Sequence, residues 1–349
     1  MKYEPQDAEE KLFSTASAIN SRARLEGKRS FVGAGGPCDS GFTIAPERSW
    51  VIEIDPQSAL LMKLLKLEVV LAAVDTDGAS LDTLRAAREF ATAAGASLHV
   101  VHVATDSEGA PDVHAVLNRT GLNEGDAVVH SLVGAPPREI RSLADRINAD
   151  VIVLGRPRGR DATGSKIGST ALAVVTNSWA PCLILSRPLQ MPLERVLVPI
   201  DLSDTSRGAL VVALSWASAL RGAVIQGGTA ANETTTLMAM LVARSPNASE
   251  SSAEQGNALD HELDRLREDA GTWAGVAIDG TVVTGSDVPS AIADFAANHK
   301  PDLLVLGTRG LGLDAVGRLG SVSLAVSRRV DVPVLLVPPA VWTALGKMP

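Results

Sequence analysis

The chain has 349 residues, enough for about two domains of ordinary size. Hydrophobic residues make up 46%, charged residues 21% and aromatics 3%, which excludes wholesale disorder and coiled-coil or collagen-like repeats and suits buried strands under Ala-rich helices. With 32 Lys and Arg against 40 Asp and Glu the net charge is −8, so no general basic field exists and nucleic acid is not an expected partner.

Cys38 and Cys182 lie far apart with no CxxC spacing, so neither a disulfide framework nor a thiolate metal site is implied and a reducing cytoplasm is the expected location. Residues 1–30 hold no apolar run of the secretory type. The greasiest stretch, 59–74, is broken by Lys63, Lys66 and Glu68, whereas a membrane span needs about 20 nearly uninterrupted apolar residues. No membrane partner is expected.

Residues 1–66 read as an extension of unknown role, with an irregular GAGGP at 33–37, a strand near 49–55 and a helix near 57–65. From 67 onwards, short apolar runs alternate with segments of helical period, the pattern of βαβ units in a parallel sheet. The reading is strand 68–75, helix 80–94, strand 97–104, short helix 112–119, strand 126–133, helix 137–148, strand 150–155, helix 169–179 and strand 181–186. Ile140, Leu143, Ala144 and Ile147 fall at i, i+3, i+4 and i+7, giving that helix one apolar face.

The pattern then repeats. DVIVLG at 150–155 matches DLLVLG at 302–307, Gly168-Ser169 matches Gly320-Ser321, and PCLIL at 181–185 matches PVLLV at 333–337, each at an offset of 152. The first strands, VLAAVD at 70–75 and VLVPID at 196–201, are offset by 126, so the second copy holds 26 more residues. The expected place for them is 231–256, whose closing Ser/Ala/Glu-rich run, SPNASESSAEQG, reads as a mobile loop. The expected organisation is copy one at 67–187, a Pro-containing linker at 188–193, copy two at 194–339 and a tail at 340–349.

In copy two, Gly307 and Gly310 are followed after nine residues by Gly320 and Ser321, behind an apolar strand and ahead of an apolar helix. The first two glycines allow close backbone approach, and the second pair opens a helix whose free N–H groups and dipole favour phosphate. Asp201 ends the first strand with a short acceptor for a base amino group or a ribose hydroxyl. Such elements sit at the carboxyl ends of strands, where open α/β sheets bind ligands.

With G-x2-G-x9-G-[ST] at 307–321, V-P-x-D-x-S at 198–203 and a closing P-V-L-x-V strand, the chain resembles the universal stress protein family, in its tandem two-domain form. The resemblance implies two α/β Rossmann-like domains of the adenine nucleotide alpha hydrolase type, each a five-stranded parallel sheet in the order 3-2-1-4-5 with ATP across strands one and four. Pro199, Ile200 and Asp201 would hold the adenine and ribose end and Leu306 would line the base. Gly307, Gly310, Gly320, Ser321 and Val322 would cradle the phosphates, with Mg2+ accompanying them. It further implies pairing of the last strands, either within one chain as a pseudo-dimer or between chains as a homo-oligomer.

Copy one departs from the pattern. Val74, Asp75, Gly155, Gly168 and Ser169 keep their places, but Arg158 stands at the second glycine position and Ala73 at the proline. Arg156, Arg158, Arg160 and Lys166 against Asp161 give this loop an excess of +3, which either grips phosphate by charge or fills the site. The run at 159–166 ends Gly-Ser-Lys where a P-loop needs Gly-Lys-Ser or Gly-Lys-Thr. His99 and His102 fall on opposite faces of a strand with no other metal ligand at suitable spacing, and Cys182 reads as a small core residue. No catalytic constellation is legible. The expected function is an ATP-binding regulator of stress adaptation, with a scaffold lacking nucleotide and a slow ATPase or ATP-using enzyme as alternatives.

Overall fold

The computed structural model describes residues 67–75, 79–105, 125–155, 167–226, 234–243, 248–268, 275–308 and 319–339, all within one compact unit, Lys63–Pro349. The expected extension, the short helix at 112–119 and the tail lie outside the described residues. The first repeat contributes β1 (Val69–Ala73), α1 (Ala79–Ala94), β2 (Ser97–Ala104), β3 (Val128–Val133), α2 (Pro136–Ile147), β4 (Val151–Leu154), α3 (Ser169–Asn177) and β5 (Cys182–Ile184). The second contributes β6 (Arg195–Ile200), α4 (Asp204–Gln226), β7 (Thr235–Ala243), α5 (Ala248–Glu268), β8 (Val276–Thr284), α6 (Val288–His299), β9 (Leu303–Gly307), α7 (Ser321–Arg329) and β10 (Val334–Val337).

The ten strands form one sheet in the order β3-β2-β1-β4-β5-β10-β9-β6-β7-β8. Each half is parallel and ordered 3-2-1-4-5, and the halves meet where β5 and β10 run antiparallel, Leu183 opposite Leu335. Of the two expected ways to pair the last strands, this is the intrachain one. The central strands are buried on both faces, which is why they read as unbroken apolar runs rather than alternating ones. On one face α1 packs against α4 across the junction, with the rings of Phe90 and Trp216 5.3 Å apart and tilted by 58°. On the other, Ile140, Leu143 and Val174 join Ile292 and Val326 in the core that covers Leu71, Ile152, Leu304 and Leu336.

Local signals set the helix ends. Both α2 and α6 carry proline in the first turn, where a missing N–H is harmless. Both stop at a left-handed residue, Asn148 (φ 50°) and Lys300 (φ 47°), 152 positions apart, whose N–H groups return to the last turn. Cys182, 1% exposed in β5, is a core residue as expected, and burial pushes its thiol up to about 12.

The location of the extra length is a correction. Residues 235–243 are strand β7, and 248–256, the greater part of the run read as a loop, belong to helix α5. Val70 lies opposite Leu98 but Val196 opposite Leu237, spacings of 28 and 41 residues. His99 lies opposite Val128 but Leu237 opposite Ile278, spacings of 29 and 41. The two crossovers thus absorb 13 and 12 of the 26 extra residues, and a polar Ser/Glu composition concealed an amphipathic helix whose Leu259, Leu263 and Leu266 are buried.

Candidate functional site

The carboxyl ends of β6 and β9 come together because these two strands are neighbours, and the turn after β6 is held by its own side chains. The Asp201 carboxylate Oδ1 accepts from the Ser203 N–H at 3.1 Å and from the Ser203 hydroxyl at 2.5 Å. Leu202 between them is left-handed (φ 61°), a conformation that strains a branched side chain and is kept only by surroundings of this kind. The Asp201 N–H donates to the Ser206 hydroxyl at 3.3 Å, and at the matching place in the first repeat the Asp75 N–H donates to Ser80 at 2.7 Å. The Asp201 carboxylate thus caps backbone of its own turn.

Pro199, Ile200 and Leu306 are buried, Leu306 within the core, while Gly307 is half-buried at the strand end. A Cβ on Gly307 would stand 2.8 Å from Thr205 Cγ2 and 3.0 Å from the Thr205 carbonyl oxygen, so the first turn of α4 needs glycine there whatever the site binds. Gly155 serves the same packing need in the first repeat, where a Cβ would strike Thr83. The Ser323 hydroxyl donates to the Gly307 carbonyl at 2.6 Å and the Gly320 N–H to the Thr308 carbonyl at 2.7 Å. These two bonds tie the start of α7 to the end of β9.

Gly320 is the N-cap of α7, with no side chain capping the helix and no acidic residue in its first turn. Ser321 is exposed and Val322 half-buried against the core. Gly168 and Ser169 open α3 in the same uncapped, acid-free way, and Val74 and Asp75 sit buried and half-buried past β1. By contrast α6 has its first turn capped by the Asp287 carboxylate, which accepts from the Ser290 N–H at 3.1 Å. Gly310 and Arg158 lie outside the described residues.

Two features escaped the sequence reading. Asp150 and Asp302, matched there only as letters, each fix the start of a central strand. Asp150 Oδ2 accepts from Glu68 and Val69 N–H at 2.7 and 2.8 Å, and Asp302 Oδ2 from Glu194 and Arg195 N–H at 2.9 Å each. The second is a histidine pair: His130 of β3 meets His99, with His99 Nδ1 3.0 Å from His130 Nε2. Ring centroids 5.3 Å apart and planes within 11° mean that the rings meet edge to edge through that N–H···N bond rather than face to face. Burial lowers both imidazoles from their usual value, helped at His130 by the charges of His99 and Arg146. Only the strand register brings them together, and pairing from sequence would have required it.

Among the described residues no helix is long and apolar enough to cross a membrane, and no group of three or more His, Cys, Asp or Glu forms a metal site. No curated protein matches the sequence. A universal stress protein from Archaeoglobus fulgidus is similar in structure, with a TM-score of 0.56 at 21% identity, covering 78% of this chain and 99% of its own. A candidate universal stress protein from Pseudomonas aeruginosa gives a TM-score of 0.57 at 12% identity, covering 81% and 98%. A shorter universal stress protein, solved in complex with cAMP, is 26% identical over 42% of this chain and 98% of its own, with a TM-score of 0.30. The model of the universal stress protein family matches residues 112–186 and again 192–338, so the chain belongs to that family and carries it twice.

Proposed function

We propose that the chain is an ATP-binding universal stress protein that takes its nucleotide at the carboxyl end of the second repeat and acts as a nucleotide-dependent regulator in stress adaptation. The observation that carries this reading is the start of α7. Its first-turn N–H groups meet neither a capping side chain nor an acid, and the exposed Ser321 hydroxyl stands beside them. Such a helix end is suited to phosphate oxygens. Gly307, Gly310, Gly320, Ser321 and Val322 form the phosphate cradle, Pro199, Ile200 and Asp201 hold the base and sugar, and Leu306 packs behind them. Mg2+ would accompany the phosphates and supply neutralisation of their charge.

The first repeat keeps the same helix start at Gly168 and Ser169. Arg158 in place of a glycine makes it the weaker nucleotide site. Replacing Ser321 by Asp tests the assignment, because a first-turn carboxylate suits the helix dipole while repelling phosphate. Calorimetry should show Mg-ATP affinity falling about tenfold or more with the thermal midpoint preserved. Unchanged affinity contradicts the site. A parallel titration with cAMP shows whether a triphosphate is required, and cAMP binding as tightly as ATP would move the ligand class to cyclic nucleotides.

A further inference from the structure

A pocket of about 540 Å³ opens at the opposite end of the second repeat, where β6 and β9 begin. Its wall includes Arg187 just ahead of the linker and Gln190 within it, Arg195 at the start of β6, Lys300 and Arg329 at the ends of α6 and α7, and Asp302. With Asp331, four cationic side chains face two carboxylates. Asp302 is already committed to the N–H groups of Glu194 and Arg195. Arg329 is held by Asp287 at 3.1 Å, and Arg187 is anchored by donating to the Pro301 carbonyl at 2.9 Å. No carboxylate pairs with Arg195 or Lys300 among the described residues.

The first repeat acts as an internal control on what the fold itself requires. Asp150 does there the work of Asp302, yet Val69, Asn148 and Asn177 stand where the second repeat has Arg195, Lys300 and Arg329. The strand starts close equally well without those charges. In the first repeat an arginine spans the corresponding helices: Arg141 of α2 donates to the Pro137 carbonyl at 3.0 Å and to the Asn177 carbonyl at the end of α3 at 3.3 Å. Its counterpart in α6 is Ala293, which lines the pocket together with Ala297, the counterpart of Asp145. Small side chains thus open in one repeat a space that an arginine bridges in the other. The carboxyl ends of α6 and α7 each favour a cation, which accounts for Lys300 and Arg329. Arg187 and Arg195 belong to no helix and have no such account.

We propose that this pocket is a second ligand site that binds a small, phosphate-bearing polyanion, separated from the glycine loop by the length of the strands. Three guanidinium groups and an ammonium, each from a different segment, suit clustered phosphate oxygens, and the volume falls in the range of small-molecule sites. The site stands independently of the nucleotide reading, since it shares no residue with it.

The test is calorimetric titration of the intact chain with inorganic pyrophosphate, without Mg2+ and at low salt. It compares the wild type with Ser321→Asp, the double variant Arg195→Gln with Lys300→Gln, and Ala293→Arg, which imports the bridging arginine of the first repeat. Arg195 and Lys300 are exposed, so the double variant keeps the fold. The proposal predicts that Ser321→Asp, whatever pyrophosphate it loses at the start of α7, retains one site of wild-type affinity and that both pocket variants weaken that site about tenfold or more. No pyrophosphate binding by the wild type, a smaller loss in the double variant, or a loss confined to Ser321→Asp overturns it.

Discussion

Asp150 and Asp302 occupy matching places and make the same two backbone hydrogen bonds, but what surrounds them has diverged. Around Asp150 the groove is bridged by Arg141 and carries neutral asparagines. Around Asp302 it is open and lined by cations. At the other end of the strands the contrast reverses in interest: both α3 and α7 begin uncapped behind a glycine, while the loop ahead of α3 has traded its second glycine for Arg158. The residues that fix strand starts, helix stops and close glycine approaches persist between repeats, as do the uncapped starts of α3 and α7, whereas the lining of the groove around Asp302 does not.

The junction between the repeats offers the largest effect. Phe90 is fully buried beside Trp216, so Phe90→Ala should cost about 4 kcal/mol in urea unfolding. A loss below about 1 kcal/mol would mean that the repeats do not depend on this contact. Next comes the aspartate pair. Asp302→Ala strands two N–H groups beside a buried position and should cost about 3 kcal/mol, while Asp150→Ala, at a half-buried one, should cost about 2. An inverted order would show that burial does not govern the difference.

A smaller effect separates packing from binding at Gly307. Ala at this position meets the Thr205 carbonyl oxygen, which cannot rotate away, and should destabilise by about 2 kcal/mol. Adding Thr205→Ala removes the 2.8 Å contact to Cγ2 but not the 3.0 Å contact to oxygen, so rescue should be partial. Full rescue would place the conflict in the side chain alone.

The smallest effect concerns pH and the first repeat only, because His99 and His130 have no counterpart pair in the second. Unfolded, both imidazoles titrate near 6.5; folded, they are held below it. Between those values the unfolded chain binds more protons, so stability is full above 6.5 and falls as the pH drops through the lowered values. His130→Gln should reduce the loss of urea midpoint between about pH 8 and about pH 5.5. A variant with the same pH slope as wild type would remove the pair as its cause.

Much of the fold was legible from the residues. Parallel strands buried on both faces read as apolar runs, and the fixed offset of 152 residues exposed the repeat and with it the symmetric halves of the sheet. What failed was composition: the Ser- and Glu-rich run at 248–256 forms helix because Leu259, Leu263 and Leu266, further along the same helix, bury one face against the sheet. The glycine motif was legible as a motif, but part of the reason for Gly307 is the backbone of Thr205, and that only packing reveals. The cationic pocket left no sequence signal, since its walls come from positions 187–195, 293–302 and 329–332, each unremarkable alone.

The most direct measurement is calorimetric titration of nucleotide-stripped protein with Mg-ATP, read for stoichiometry. The account predicts one tight site per chain, abolished by Gly320→Val, with the first repeat weak or silent. No binding at all, or tight binding that survives Gly320→Val, would contradict it.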